Sequence, residues 1–271
     1  MSIYYQNRTE RFNFYTSHNN TYATHLHKQV ELIAVLEGTI TLTVNSKTYS
    51  LNANEGAIIF PNELHSLKTE TESQILLCIF DTDFCHNYQS LFQTHCPVSH
   101  QFSLQTLSRH SKLAASGLLS LTNDFPKGSP IPAPVQALSE GYLTLLLADL
   151  FTHLTLTTPE AQSDLELEQR LLIYIDEHFT ENLSLDVLSK QFGISRYSLS
   201  RIFTDKLHTT FPYYVNAKRL EYAKDLLCST SLSVTRIALD AGFGSSRTFF
   251  REFKSYFLAT PNEYRKKHSH F

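Results

Sequence analysis

The chain has 271 residues, 42% hydrophobic and 18% charged, which excludes a largely disordered polypeptide and gives length for two domains. Its net charge of −3 is unevenly spread: residues 1–160 carry 8 basic and 13 acidic side chains, residues 187–271 carry 14 and 6. Only the back of the chain is therefore suited to a polyanion. No apolar run is long enough to span a bilayer, the first residues lack an export-signal core, and the four cysteines form no C-x-x-C pair. A cytoplasmic protein with reduced thiols and no membrane partner is expected.

Residues 1–100 read as β. In Thr39-Ile40-Thr41-Leu42-Thr43-Val44 the aliphatics and threonines alternate with period two. Asn45-Ser46-Lys47 supplies a turn, and Thr48–Leu51 returns as the partner strand. Asn52–Gly56 is a second turn before the apolar run Ala57–Phe60, Pro61 ends that run, and Gln74–Phe80 is a further strand. Such spacing predicts a small barrel or sandwich.

Within this segment His25, His27 and Glu31 share one face of an extended strand, and His65 follows on a later one. Three imidazoles and a carboxylate are suitable ligands for a divalent transition metal. The pattern His25-x-His27-x-x-x-Glu31 with Gly38 seven residues on resembles the first motif of the cupin fold. Asn19 stands where that family opens with Gly. The second motif is partial, keeping Gly56 and Pro61 but placing Glu63 where Gly is expected. The resemblance implies a jelly-roll barrel.

From residue 101 the period becomes helical. Leu104, Leu107, Leu113, Ala114, Leu118 and Leu121 make one stripe, 123–134 is a loop, and a second helix runs from about Val135 to Leu156. Being apolar around much of its circumference, that helix can meet both the barrel and a second subunit, so 101–156 is expected to dimerise or relay. Residues 157–163 read as a linker and 164–271 as helix throughout.

The last third contains an internal repeat. Leu188, Ser189 and Gly193 recur as Ile237, Ala238 and Gly242, and Leu199, Arg201 and Phe203 as Phe249, Arg251 and Phe253. Each copy, about 184–207 and 233–257, has a short helix, a Gly just past its end, an apolar plug (Ile194, Phe243) and a capping serine (Ser195, Ser245). The second helix of each copy leaves Ser195, Arg196, Tyr197, Ser200 and Arg201, or Ser246, Arg247, Thr248 and Arg251, to face outward. A helix so equipped fits the major groove, where Arg bonds guanine bidentately and Ser or Thr reaches bases or phosphates.

The run Arg219-Leu220, Ala223, Leu226-Leu227, Ile237-Ala238, Gly242-Phe243, Phe249, Arg251-x-Phe253-Lys254 and Thr260-Pro261-x-x-Tyr264-Arg265 resembles the AraC/XylS family of bacterial transcription regulators. The resemblance covers about residues 165–267 and implies two helix–turn–helix units, joined by a helix at about Pro212–Leu227, entering successive major grooves. Two positions depart from it: His208 and Leu258 stand where the family usually has Gly.

Together these features predict an α+β multidomain chain: an N-terminal cupin- or jelly-roll-like β-barrel, a helical dimerisation segment and an all-α domain of two helix–turn–helix units. The expected function is promoter recognition on double-stranded DNA under control of a small-molecule effector, with a carbohydrate as the candidate. The resemblance implies an effector pocket holding His25, His27, Glu31 and His65, with Tyr22, Glu37, Tyr49 and Arg8 as neighbours. The N-terminal arm, with Tyr4, Tyr5, Arg8 and Phe12, is expected to close over it. No cofactor and no catalytic residue is expected, and a homodimer is, with RNA polymerase as a candidate partner. The alternative is a metal-binding cupin, sensor or enzyme, using His25, His27, Glu31 and His65 as ligands.

Overall fold

The computed structural model describes residues 4–6, 10–158 and 167–268. They form two compact units, Tyr4–Gln169 and a second beginning at Arg170.

The first unit is built on two long strands, β4 (Val30–Val44) and β7 (His65–Phe80), preceded and accompanied by β1 (Tyr4–Tyr5), β2 (Phe12–His18), β3 (Thr21–Leu26), β5 (Lys47–Asn52) and β6 (Glu55–Ile59). β4 and β7 pair antiparallel from Val30↔Phe80 to Val44↔His65. Each half of this ribbon recruits different neighbours. The Val30 end carries β6 and β2, and the Val44 end carries β5 and β3. The bend between the halves lies at Gly38, whose φ is 73° in a stretch where the register slips twice. A Cβ there would sit 2.0 Å from the carbonyl oxygen of Glu72.

The strand path β1-β3-β7-β4-β6-β9, ending on β9 (Gln101–Ser103), is open. The closed barrel expected from the sequence is thus a bent, jelly-roll-like sheet. Its end strands are two and three residues long and do not pair with each other.

Alternation along β4 explains the layers. Leu32 and Ala34 join a core with Leu118, Leu143, Leu146 and Leu150, from α2 (Arg109–Asp124) and α3 (Ala133–His153). Ile33 and Val35 face the other way and pack with Ile40, Leu42, Leu51, Ile59, Ile75 and Leu77. Leu104 and Leu107, expected on a helix, precede α2, which starts only where Ser108 caps it by accepting from the Ser111 N–H at 3.3 Å. A short α1 (Gln89–Thr94) interrupts the expected all-β segment, and β10 (Leu156–Thr157) pairs β8 (Cys96–Pro97).

The second unit is helical: α4 (Leu167–His178), α5 (Leu185–Phe192), α6 (Arg196–Arg201) with a π-type turn over Ile202–Lys206, α7 (Phe211–Ser229), α8 (Val234–Asp240), α9 (Ser246–Phe257) and α10 (Pro261–His268). Five helices start alike. Ser184, Ser195, Thr210, Ser233 and Ser245 each accept a hydrogen bond from the backbone N–H three residues on. Gly242, at φ 83°, lets the turn of the second copy press on Thr180, whose carbonyl oxygen is 2.5 Å from where a Cβ would stand. Phe249 and Phe253 fill the core of this copy, and Leu199 and Phe203 that of the first.

His208 and Leu258 keep the left-handed geometry that glycine favours, at φ 49° and 56°. Leu258 is also 89% exposed. Replacing it by glycine removes strain worth about 1 kcal/mol without losing packing. Leu258→Gly is therefore expected to raise the thermal midpoint of the second unit, and an unchanged or lower midpoint would contradict this.

Candidate effector site and nucleic-acid interface

The bend at Gly38 brings the two ends of the β4–β7 ribbon together, and the histidines and Glu31 meet there, with His27 in the turn between β3 and β4. His25 and His65 are cross-strand partners of β3 and β7, and Glu31 lies near the start of β4. The ring centroids of His25 and His65 are 4.2 Å apart, those of His27 and His65 4.9 Å. The His27 Nε2 is 3.1 Å from a Glu31 carboxylate oxygen, and the His65 Nε2 is 3.6 Å from the same atom. All four side chains are buried, and their ligand atoms lie within 4.8 Å of one another.

The backbone fixes how these rings are presented. The Nδ1 of His25 faces the Ala23 carbonyl at 2.9 Å, that of His27 the Gln29 carbonyl at 3.1 Å, and that of His65 the Glu63 carbonyl at 2.8 Å. A carbonyl only accepts, so each ring donates from Nδ1 and turns Nε2 inward, where it carries a lone pair in the neutral ring and a proton when it bonds to Glu31. The His65 Nε2 is buried with no hydrogen-bond partner. Burial, reinforced by His65, pushes the His25 imidazole down to about 3. Burial opposes the charge of Glu31, yet His27 and His65 hold its carboxyl well below the usual carboxylate range. Three inward lone pairs around a carboxylate repel one another unless a cation sits among them. A proton can bridge one pair, whereas a divalent ion satisfies all four ligands, so the residues fit a metal.

Unfolded His25 takes up a proton below about 6.5 and folded His25 does not until about 3, so stability present at neutral pH is lost as pH falls below 6.5. Metal-free protein is expected to lose about 2 kcal/mol between pH 7 and 5 from this group alone. Urea titrations of the first unit at both pH values check it, and equal stabilities would contradict it.

The remaining expected neighbours divide. Tyr22 is half-buried with its ring 6.3 Å from that of His25. Tyr4 stacks on His25 at 5.4 Å, and the Tyr5 hydroxyl reaches the Asn62 side chain at 3.5 Å. Phe12 instead packs against Phe84 in the helix-side core, because it pairs with Phe80 on the opposite face of the sheet. Glu37 is exposed on the bulge beside Gly38. Arg8 lies outside the described residues.

Tyr49 belongs to a second buried network that the sequence did not signal. Its hydroxyl is 3.1 Å from the Nδ1 of His100, whose Nε2 is 2.9 Å from Glu63. Glu63 also accepts the Phe60 N–H at 2.8 Å, which explains a carboxylate where the motif would have glycine.

In the second unit α5 with α6 and α8 with α9 form the two expected helix–turn–helix pairs. Arg196, Tyr197, Ser200 and Arg201 are exposed on α6, and Arg247 and Arg251 on α9, with Ser246 and Thr248 half-buried. Ser195 is exposed but spends its hydroxyl on the cap. The arginines are not equally available. Arg196 pairs with Asp186 at 3.2 Å, Arg201 with Asp205 at 2.8 Å and Arg251 with Glu252 at 2.7 Å. Arg247 has no carboxylate partner among the described residues.

Comparison with known proteins yields two family models. One, for the AraC-like ligand binding domain, matches residues 11–173, and the other, for a helix-turn-helix domain, matches 188–267. The regulatory protein SoxS of Escherichia coli is 37% identical over 99 residues, which are 36% of this chain and 92% of SoxS. An HTH-type transcriptional regulator of Staphylococcus aureus is 44% identical over 92 residues, 34% of this chain but only 12% of the relative, so the chain matches a small part of that longer protein. A solved structure from Listeria innocua is 37% identical, covering 39% of this chain and all of its own, with a TM-score of 0.38.

Proposed function

The chain belongs to the AraC family of transcription regulators, and on that premise we propose that it reads promoter DNA in response to an effector held by its first unit. The observation that carries the DNA reading is the pair of capped helix–turn–helix units, each with exposed arginines on its second helix. Arg247 is assigned to base edges. Arg196, Arg201 and Arg251 must first exchange a surface carboxylate, an exchange that costs little.

The effector reading has two forms. In one, a small polar molecule such as a carbohydrate hydrogen-bonds to His25, His27, Glu31 and His65, with Tyr22 beside them. In the other, these four residues hold a divalent transition ion. The inward lone pairs and the unpartnered His65 Nε2 favour the second. The ion would tie the start of β4 to β3 and β7. Tyr4, stacked on His25, would feel its arrival directly. No catalytic role is assigned to any residue.

Response to the effector is a population shift between arrangements of the first unit. Leu138 and Leu145 on α3 and Leu113 on α2 are exposed leucines, which suit a homodimer contact, and RNA polymerase is the further partner this role implies.

Metal analysis of protein purified without added ions tests the metal form. About one transition ion per chain is expected, falling to none in His65→Ala. Metal-free wild-type protein that cannot be loaded with zinc, iron or manganese would reject it and leave the organic effector.

A further inference from the structure

The inner face of the sheet beyond the histidine cluster is filled by Ile33, Val35, Ile40, Leu42, Leu51 and Ile59, each fully buried. Open space lies on the opposite face. A groove of about 310 Å³ runs between that outer face and α2, of a size that suits a small molecule. Its walls are Ala34, Leu36 and Leu76 from the sheet, Leu104 from the connection, and Ala115 and Leu119 from α2. Four of these residues also border a second, smaller cavity of about 20 Å³.

The polar part of the lining is Asn54, Gln105, Lys112 and Ser116, whose hydroxyl donates to the Lys112 carbonyl at 2.9 Å. Lys112 has no carboxylate partner among the described residues. Its Nζ donates to the Gln105 carbonyl at 2.7 Å, which leaves two of its three N–H donors unused. The side-chain amides of Asn54 and Gln105 stand beside it, and neither makes a hydrogen bond among the described residues. An apolar trough ending in one cation and two amides is complementary to an aliphatic chain ending in a carboxylate.

We propose that this groove binds an aliphatic monocarboxylate, its chain along Leu36, Leu76, Leu104 and Leu119 and its carboxylate at Lys112. The proposal rests on the regulator reading and is independent of the histidine cluster. It also supplies a route for a response. Ala34 and Leu76 alternate with Ile33, Val35, Ile75 and Leu77 on the same two strands, so a chain seated in the groove bears on the ribbon that carries Glu31 and His65. The other wall, α2, packs on α3, whose exposed leucines suit a second copy.

Full-length protein is titrated with dansyl-aminoundecanoate, and the probe is displaced by decanoate or decanol. The chain has no tryptophan, so probe fluorescence is read against a low background. Saturable displacement by decanoate is expected, with decanol weaker. Ala115→Phe, which fills the trough, should weaken decanoate about tenfold or more. Lys112→Gln, an exposed change that leaves folding alone, should weaken decanoate about threefold and decanol not at all. No saturable binding below the micellar range overturns the proposal. So does equal affinity for decanol and decanoate, or Lys112→Gln and Ala115→Phe variants that bind decanoate as wild type does. Promoter binding by the same preparation is measured in parallel: its loss would sink the regulator reading, and its retention without decanoate binding would sink the groove alone.

Discussion

Gly38→Ala is expected to unfold the first unit, or to destabilise it by about 4 kcal/mol. A left-handed φ accounts for about 1 kcal/mol of this. The larger part is steric: the new Cβ would overlap the Glu72 carbonyl oxygen at 2.0 Å, and a backbone atom inside a strand ribbon cannot step aside without breaking the ladder. Gly141→Ala is the control, since no atom lies within 4 Å of the position of its Cβ and it sits inside α3. There alanine should stabilise by about 0.5–1 kcal/mol. Urea unfolding followed by circular dichroism compares the two. Similar midpoints for both variants would mean that the bend at Gly38 does not hold the sheet in this form.

Arg247→Ala is expected to weaken promoter binding by about 1–3 kcal/mol, roughly fivefold to 150-fold, and to relax sequence preference at one position. Arg201→Ala should have the same sign and a smaller effect, because Arg201 gives up its contact with Asp205 to engage DNA. Asp205→Asn, which frees Arg201, should tighten binding modestly and make it more salt-dependent. Fluorescence anisotropy on one promoter duplex at two salt concentrations measures all three. An Arg247→Ala variant with unchanged affinity and unchanged preference would remove it from base reading.

The parts of this molecule that were legible in the sequence share one property: their signals are local. Turn glycines, capping serines and apolar periods define each helix–turn–helix within about twenty residues, and the second copy confirmed the reading of the first. His25, His27 and Glu31 were legible as a set but not as one strand face: His25 lies at the end of β3, Glu31 at the start of β4, and His27 in the turn between them. What joined them to His65 was the register of β3 on β7, which no local signal states. The network of Tyr49, His100 and Glu63 is less legible still. It joins residues 37 and 51 positions apart, and Glu63 read only as a missing glycine. Phe12 and Glu37 were misplaced for a related reason. Their apolar or charged character was visible, but the face each occupies follows from pairing with β7 and from the bulge beside Gly38. The groove under α2 was invisible because it lies between elements distant in the chain. His208 and Leu258 show the converse: sequence marked them as unlike glycine, while the surrounding turns impose glycine's geometry on them.

The two helix–turn–helix units are proposed to read specific promoters. Sequencing of genomic fragments retained by the purified full-length protein, with Arg247→Ala alongside, tests this most directly. A few strongly enriched promoter regions that the variant fails to enrich are the predicted result. Retention spread evenly over the genome, by both proteins alike and with the histidine cluster loaded or empty, would contradict it.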